Sequence, residues 1–449
     1  MPEPCGYWWR CLTAPARIGF FSLLCLMLLL KAGTVMGADA IPGEQWCEGD
    51  ITHISFAGNR VTRAQVIARE LVQQVGEACS LDDIIDGIQN IMDLGLFKSV
   101  RAELLQDGNF LELRYIVVEK YFFLAIPRIS RTSDGELRFG VQLRWDNFNG
   151  RLHELKITNE KRQEDDGRGR AGFVHSLDYK VPRFFGSNYG FSIRAAGRRK
   201  QVELAQDDTV YGEAIVESEE LGLQIARWLN QRDGIRGLRF FAGFRLEQRD
   251  YILKSGNRGT FRDGRDTSVL LGIENNEIHQ EAYRRRGWNY GASLQMAAGA
   301  TGSDFRYTRV DGWLAWYQPL RSRLNNLNVL ARIGISDGAP FGERSYSIGG
   351  GEILRGVEPS RDTGNLMTLV NIEYLSAFFA YPTWRWVGFV DIGNVFQKDD
   401  VDLFNQNLRA GLGLRFKLEA LTNTDLRIDL AWDPDQDKLL PYLATSLTF

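Results

Sequence analysis

The chain has 449 residues, room for two or three ordinary domains or for one small domain beside one large sheet. Its formal net charge of −3 excludes a strongly basic nucleic-acid binder on electrostatic grounds. A mean hydropathy of −0.26 reads superficially as soluble, yet a membrane β-barrel gives the same average because only every second strand residue meets lipid.

At the N-terminus, Arg10 and Arg17 precede the apolar run Ile18 to Leu30, followed by small residues at Gly37, Ala38 and Ala40. The run is shorter than a bilayer requires, so residues 1–40 are expected to be a secretory signal rather than an anchor. Cys25 lies inside that run without a small residue before it, which argues against a lipoprotein signal. Cleavage would leave two cysteines, Cys47 and Cys79, for which one disulfide is expected in an oxidising compartment, with two separate thiols as the alternative.

Residues 41–120 read as a small α+β module. "ITHISFAGN" is a strand signal closed by a turn. Thr62 to Gln65 matches a capping box for a helix carrying Val66, Ile67, Leu71 and Val75 inward. Ser80 to Asp83 opens a second helix with Ile84, Ile85, Ile88, Ile91 and Met92 at helical spacing, and Gly95 stops it. "FKSVRAELL" and "FLELRYIVVE" then form a hairpin around Asp107, Gly108 and Asn109. Strand, helix, helix, strand, strand makes a three-stranded sheet covered by two helices. Such a sheet has an exposed edge able to pair with an extended peptide.

From 121 to 449 nearly every segment alternates. In "NLRAGLGLRFKL", Leu408, Ala410, Leu412, Leu414, Phe416 and Leu418 share one face and Arg409, Arg415 and Lys417 the other; "TDLRIDLAW" sets Leu426, Ile428, Leu430 and Trp432 against Asp425, Arg427 and Asp429. Trp145, Trp288, Trp316, Trp384, Trp386 and Trp432 lie toward strand ends, as interfacial girdles do. About sixteen strands are expected, closing into an antiparallel transmembrane barrel. The first runs through "FFLAIPRIS" and the last is "LPYLATSLTF", opened by Pro441. Pro127 and Pro441 lack a ladder donor, so the joint where these strands meet is expected to be weakly bonded; the plainer alternative is that each marks a strand start.

With signal, module and barrel in that order, the chain resembles the BamA/TamA outer-membrane insertase superfamily. Residues 47–120, with "DLGLFKSVRAEL", resemble one POTRA module. "YKVPRFFGSNYGF", "GFVDIGNVF" and "LRAGLGLRF" are similar to the family's strand patterns, the last two where its third- and fourth-last strands lie. Leu447 and Phe449 resemble the terminal signature by which assembly machinery recognises such barrels. "GGGEILRGV" matches the loop motif that the family folds into its barrel, with Gly349, Gly350, Arg355 and Gly356 in place and Val357 where the family has an aromatic. The resemblance implies that Arg355 docks on Asp391, the acidic residue of the "GFVDIGN" strand. Alternation independently turns Asp391 to the lumen and makes Glu373 a second candidate partner. The alternative is an extracellular loop with a solvated arginine.

The resulting expectation is a non-enzymatic factor in the outer membrane of a Gram-negative bacterium, its module in the periplasm. It would insert or translocate proteins through a weak seam. Expected partners are unfolded or extended clients and outer-membrane lipid, with accessory periplasmic or lipoprotein subunits left open. A dedicated two-partner-type secretion pore and a passive channel are the alternatives. An enzyme is disfavoured: His53, His153, His175 and His279 are scattered, no G-x-S-x-G elbow occurs, and no spacing suggests a metal site, so no cofactor is expected.

Overall fold

The structure, a computed structural model, describes residues 47–131, 137–163, 172–206, 209–229, 236–281, 283–320, 324–358, 362–378, 381–422 and 425–445. The signal segment and the terminal Leu447 and Phe449 lie outside these residues.

The N-terminal module comprises β1 (His53–Ala57), α1 (Ala64–Ala68), α2 (Leu81–Asp93), β2 (Phe97–Asp107) and β3 (Phe110–Glu119), with the three strands ordered β1-β3-β2. Its core is built from Ile51, Ile67, Ile84, Ile91, Leu113 and Tyr115, all effectively sealed from solvent. Ser80 caps α2 by accepting a hydrogen bond from the Asp83 amide at 3.3 Å. The box at Thr62 does not form. α1 starts at Ala64 behind Arg63, which makes no side-chain cap. The Thr62 hydroxyl instead accepts from Asn147 Nδ2 at 2.9 Å, a bond to the barrel that outcompetes the local one. α1 spans only 5 residues, so Leu71 packs into the core from beyond its end while Val75 is exposed. Cys47 and Cys79 are joined in a disulfide.

The rest is one sixteen-stranded antiparallel sheet. Its strands are β4 (Phe123–Arg131), β5 (Leu137–Phe148), β6 (His153–Gln163), β7 (Gly172–Val181), β8 (Tyr189–Gln206), β9 (Thr209–Trp228), β10 (Gly237–Gly256), β11 (Gly264–Gln280), β12 (Arg285–Ala297), β13 (Tyr307–Pro319) and β14 (Asn326–Asp337). The small hairpin β15 (Tyr346–Ile348) and β16 (Asp362–Gly364) interrupts it. Then β17 (Leu366–Phe378), β18 (Tyr381–Phe396), β19 (Asn407–Lys417), β20 (Asp425–Asp433) and β21 (Lys438–Thr445) complete the sheet. Alternation sorts its two faces as period-2 geometry requires. On β20, Ile428 and Leu430 are 41% and 47% exposed while Arg427 and Asp429 are 3% and 0%.

β4 and β21 end the sheet, and among the described residues no ladder joins them. Pro127 sits mid-strand opposite Val141, and Pro441 opposite Leu430. Pro441 is the fourth residue of β21 rather than its opener, because Lys438 to Leu440 already pair with β20. Beside this junction, the turn after β19 reaches toward β4 and β5. The Tyr121 amide donates to Ala420 O at 2.8 Å, and Thr422 bonds Arg144 and Asp146.

The module packs on one end of the barrel. The Arg63 amide donates to Gly150 O at 3.0 Å, Arg69 reaches Gly186 O, and Gln89 donates to Gln280 O at 3.1 Å. Asp93 at the end of α2 accepts from the Gln280 amide at 2.6 Å and holds His279 Nδ1 and Arg236 Nε, each at 3.1 Å. Five of the six strand-end tryptophans lie at this same end. Trp432, near the top of β20, marks the other.

Candidate functional site: the loop inside the barrel

Between the eleventh and twelfth barrel strands, β14 and β17, the chain leaves the sheet and turns into the lumen, over residues 338–358 and 362–365 of those described. Two glycines make the tip possible. Gly349 has φ +117, and a Cβ there would meet Glu358 O at 2.0 Å. Gly356 has φ +83, and a Cβ would meet Trp432 O at 2.7 Å. Neither position tolerates a side chain. Gly350 closes the tip by donating to Val357 O at 2.9 Å. Leu354 and Val357 are buried with Tyr346, Ile348, Leu369 and Val395, so valine fills the apolar seat at this position.

Arg355, 1% exposed, sits at the centre. Its Nε and Nη2 donate to the two oxygens of Asp391 at 2.7 Å each, a bidentate fork. Nη1 donates to Glu373 at 2.6 Å and to Asp429 at 3.2 Å. The guanidinium carbon lies 3.6 Å from the centre of the Phe389 ring, two residues before Asp391 on the same face of β18.

Asp429, Arg415 and Arg427 complete the cluster. Arg415 and Arg427 stand directly opposite each other on β19 and β20, a like-charge register that is unfavourable by itself. Asp429 offsets it, accepting from Arg415 Nη1 and Arg427 Nε at 2.5 Å each, while Glu373 accepts from Arg415 Nη2 at 2.9 Å. Three guanidiniums therefore meet three carboxylates, and the buried charge balances. A close pair at an effective dielectric near 20 gains about 4 kcal/mol. Desolvation removes several kcal/mol per ion, so the cluster's net stabilisation is small. What it supplies is a single allowed position for the loop. Asp429, Arg415 and Arg427 were visible on the polar face of the alternating pattern, but their meeting depends on cross-strand register, which no local motif encodes.

Further contacts bind the loop to the last strands. The Gly356 amide donates to Tyr442 Oη on β21 at 3.0 Å, Arg409 Nε to Gly356 O at 3.2 Å, and Arg427 Nη2 to Gly351 O at 2.9 Å. Lys438 of β21 pairs with Glu358 at 2.8 Å. The root of the loop is fixed elsewhere. Phe341, fully buried at φ 60, packs with Leu204, Val216 and Tyr251 beneath the Arg249 guanidinium, 4.2 Å from its ring centre. A bulky aromatic rarely adopts that backbone conformation, so the socket imposes it.

Of the expected site residues, Arg355, Asp391, Glu373, Gly349, Gly350 and Gly356 gather here. Pro127 and Pro441 lie in the sheet's terminal strands, and the disulfide lies in the module, away from the loop. At the interface between module and barrel, Glu70 is 3% exposed. Burial pushes its carboxyl up to about 7, against the opposing pull of Arg183 and Arg236.

Residues 147–439 match the Omp85 superfamily domain, and residues 50–120 match the POTRA family described as a surface antigen variable number repeat. Comparison with curated proteins gave no match. Among solved structures, the chain is similar to BamA from Haemophilus ducreyi lacking POTRA domains 1–3 (16% identity, TM-score 0.52, covering 89% of this chain and 84% of that one). It is similar also to CdiB from Acinetobacter baumannii (14%, TM-score 0.57, 89% and 73%) and to CdiB from Escherichia coli (14%, TM-score 0.61, 89% and 75%). With its sixteen-stranded sheet, lumen loop and N-terminal POTRA module, this chain belongs to the Omp85 superfamily of outer-membrane proteins.

Proposed function

We propose that the chain inserts or translocates polypeptide clients at the outer membrane by parting its sheet between β4 and β21. The observation that carries this reading is the loop's grip on one side of the junction. Arg355 ties the loop to β17, β18 and β20, while Tyr442 and Lys438 tie it to β21. That wall is braced as a unit. Motion at the junction then falls to β4, whose far neighbour in the sheet is absent among the described residues. β4 would offer its edge groups to an extended client, a pairing that supplies main-chain hydrogen bonds without a side-chain code. β2, one of the two edge strands of the module's sheet, would present clients in the same extended form.

Depleting the protein and quantifying the outer-membrane proteome tests this reading. Loss of many barrel proteins supports insertion, and loss of one secreted protein supports a dedicated translocation pore. An unchanged proteome contradicts both and leaves a passive channel.

A further inference from the structure

A pocket of about 570 Å³ opens on the outer wall of the barrel, at the end where the module docks. Glu277 and His279 of β11, Arg286 and Trp288 of β12, and Trp316 and Gln318 of β13 line it. Register makes it a designed cluster: Glu277 is opposite Trp288, His279 opposite Arg286, and Trp288 opposite Trp316. The two indole rings stack 5.3 Å apart at 19°. Farther along the same outward face, Tyr290 and Leu314 are exposed, so the pocket sits directly below the apolar belt. Tryptophans at this height mark the headgroup level of a bilayer.

The charges narrow the ligand. Glu281 and Arg284, at the adjoining turn, also line the pocket and pair with each other, and Arg286 Nε lies 3.8 Å from Glu281. Two carboxylates therefore face two guanidiniums. A site for a simple anion would carry surplus positive charge, and one for a metal cation surplus negative charge. A balanced set around a π-stack suits a ligand carrying both signs. Arg286, 52% exposed, is placed to meet a phosphate, and exposed Glu277 opposite Trp288 to meet an ammonium group.

We infer that this pocket binds the zwitterionic phosphate–ammonium headgroup of a glycerophospholipid. The site is independent of how clients are handled. It also touches the module, because His279 on its rim holds Asp93 of α2.

The test is native mass spectrometry of the full-length protein released from detergent with equimolar phosphatidylethanolamine and phosphatidylglycerol of identical chains. The wild type should retain phosphatidylethanolamine in preference by about fivefold, the effect of one well-placed exposed charge contact. Glu277→Gln should bring that preference close to unity, and Arg286→Gln should lower retention of both lipids. Heat-modifiable gel mobility reports whether each variant is folded. Equal retention of the two lipids by the wild type overturns the inference, as does an unchanged preference in Glu277→Gln or unchanged retention in Arg286→Gln. Any of these would make the pocket ordinary annular surface.

Discussion

Arg355 decides how the loop sits. Arg355→Ala would leave Asp391, Glu373 and Asp429 in the lumen with one cation fewer, a loss that typically costs about 3–5 kcal/mol when a buried pair is broken. The expected result is a lower unfolding temperature by heat-modifiability and loss of client assembly, with Asp391→Ala giving the same defect. Arg355→Lys should recover part of the charge balance but not the fork on Asp391, so it should fall between alanine and wild type. If Arg355→Ala and Asp391→Ala both behave as wild type, the loop does not brace the wall.

Glu70 makes a second prediction at this scale. Its carboxyl titrates at about 7 in the folded protein, above its ordinary value of 4.5. The folded state therefore holds this proton more tightly than the unfolded chain. Its contribution to stability is complete below pH 4.5 and declines as pH rises toward 7. Amide exchange across α2 should accelerate between pH 5 and 8, once corrected for intrinsic rates, and Glu70→Gln should flatten that dependence. A slope unchanged by Glu70→Gln would remove Glu70 as its source.

Among elements, what the sequence disclosed depended on how local the cause was. Strand alternation on β19 and β20 was plain because one face is chosen residue by residue. The Ser80 cap was equally plain, since acceptor and amide lie three residues apart. The Thr62 box failed because its hydroxyl bonds Asn147, a partner 85 residues away in sequence that no helix-start rule contains. Asp391 as partner of Arg355 was legible through resemblance and strand face together. Asp429, Arg415 and Arg427 were legible only as lumen-facing residues, because register brings them together. The docking of Asp93 on Arg236 and His279 had no sequence signal at all. It arises where α2 meets two turns of the barrel.

The disulfide is an element-scale feature with a measurable role. It closes a loop with a sequence separation of 32, for which chain entropy predicts roughly 3–4 kcal/mol of stabilisation. Cys47→Ser with Cys79→Ser should lower the urea midpoint of the module while leaving the barrel's heat-modifiability intact. An unchanged midpoint would show that the packed core alone sets the module's stability.

Over the whole molecule, the arrangement is asymmetric. The lumen loop is rooted at Phe341 and held at its tip by β17 to β21, so one flank of the junction is braced from inside. The other flank begins with β4, tied below by Tyr121 and Ala420 and by the Thr422 contacts with β5. The POTRA module meanwhile covers the turns from β5 to β12, on the opposite side of β4 from the braced wall. This asymmetry is the reason the proposed opening is placed between β4 and β21, the two strands that end the sheet.

Cross-linking that junction is the most direct measurement. Cysteine pairs scanned along β4 and β21 would be oxidised in the membrane, and client assembly compared with each single-cysteine parent. The account predicts that every pair that cross-links stops assembly while the barrel stays folded. Normal assembly by fully cross-linked protein would contradict it.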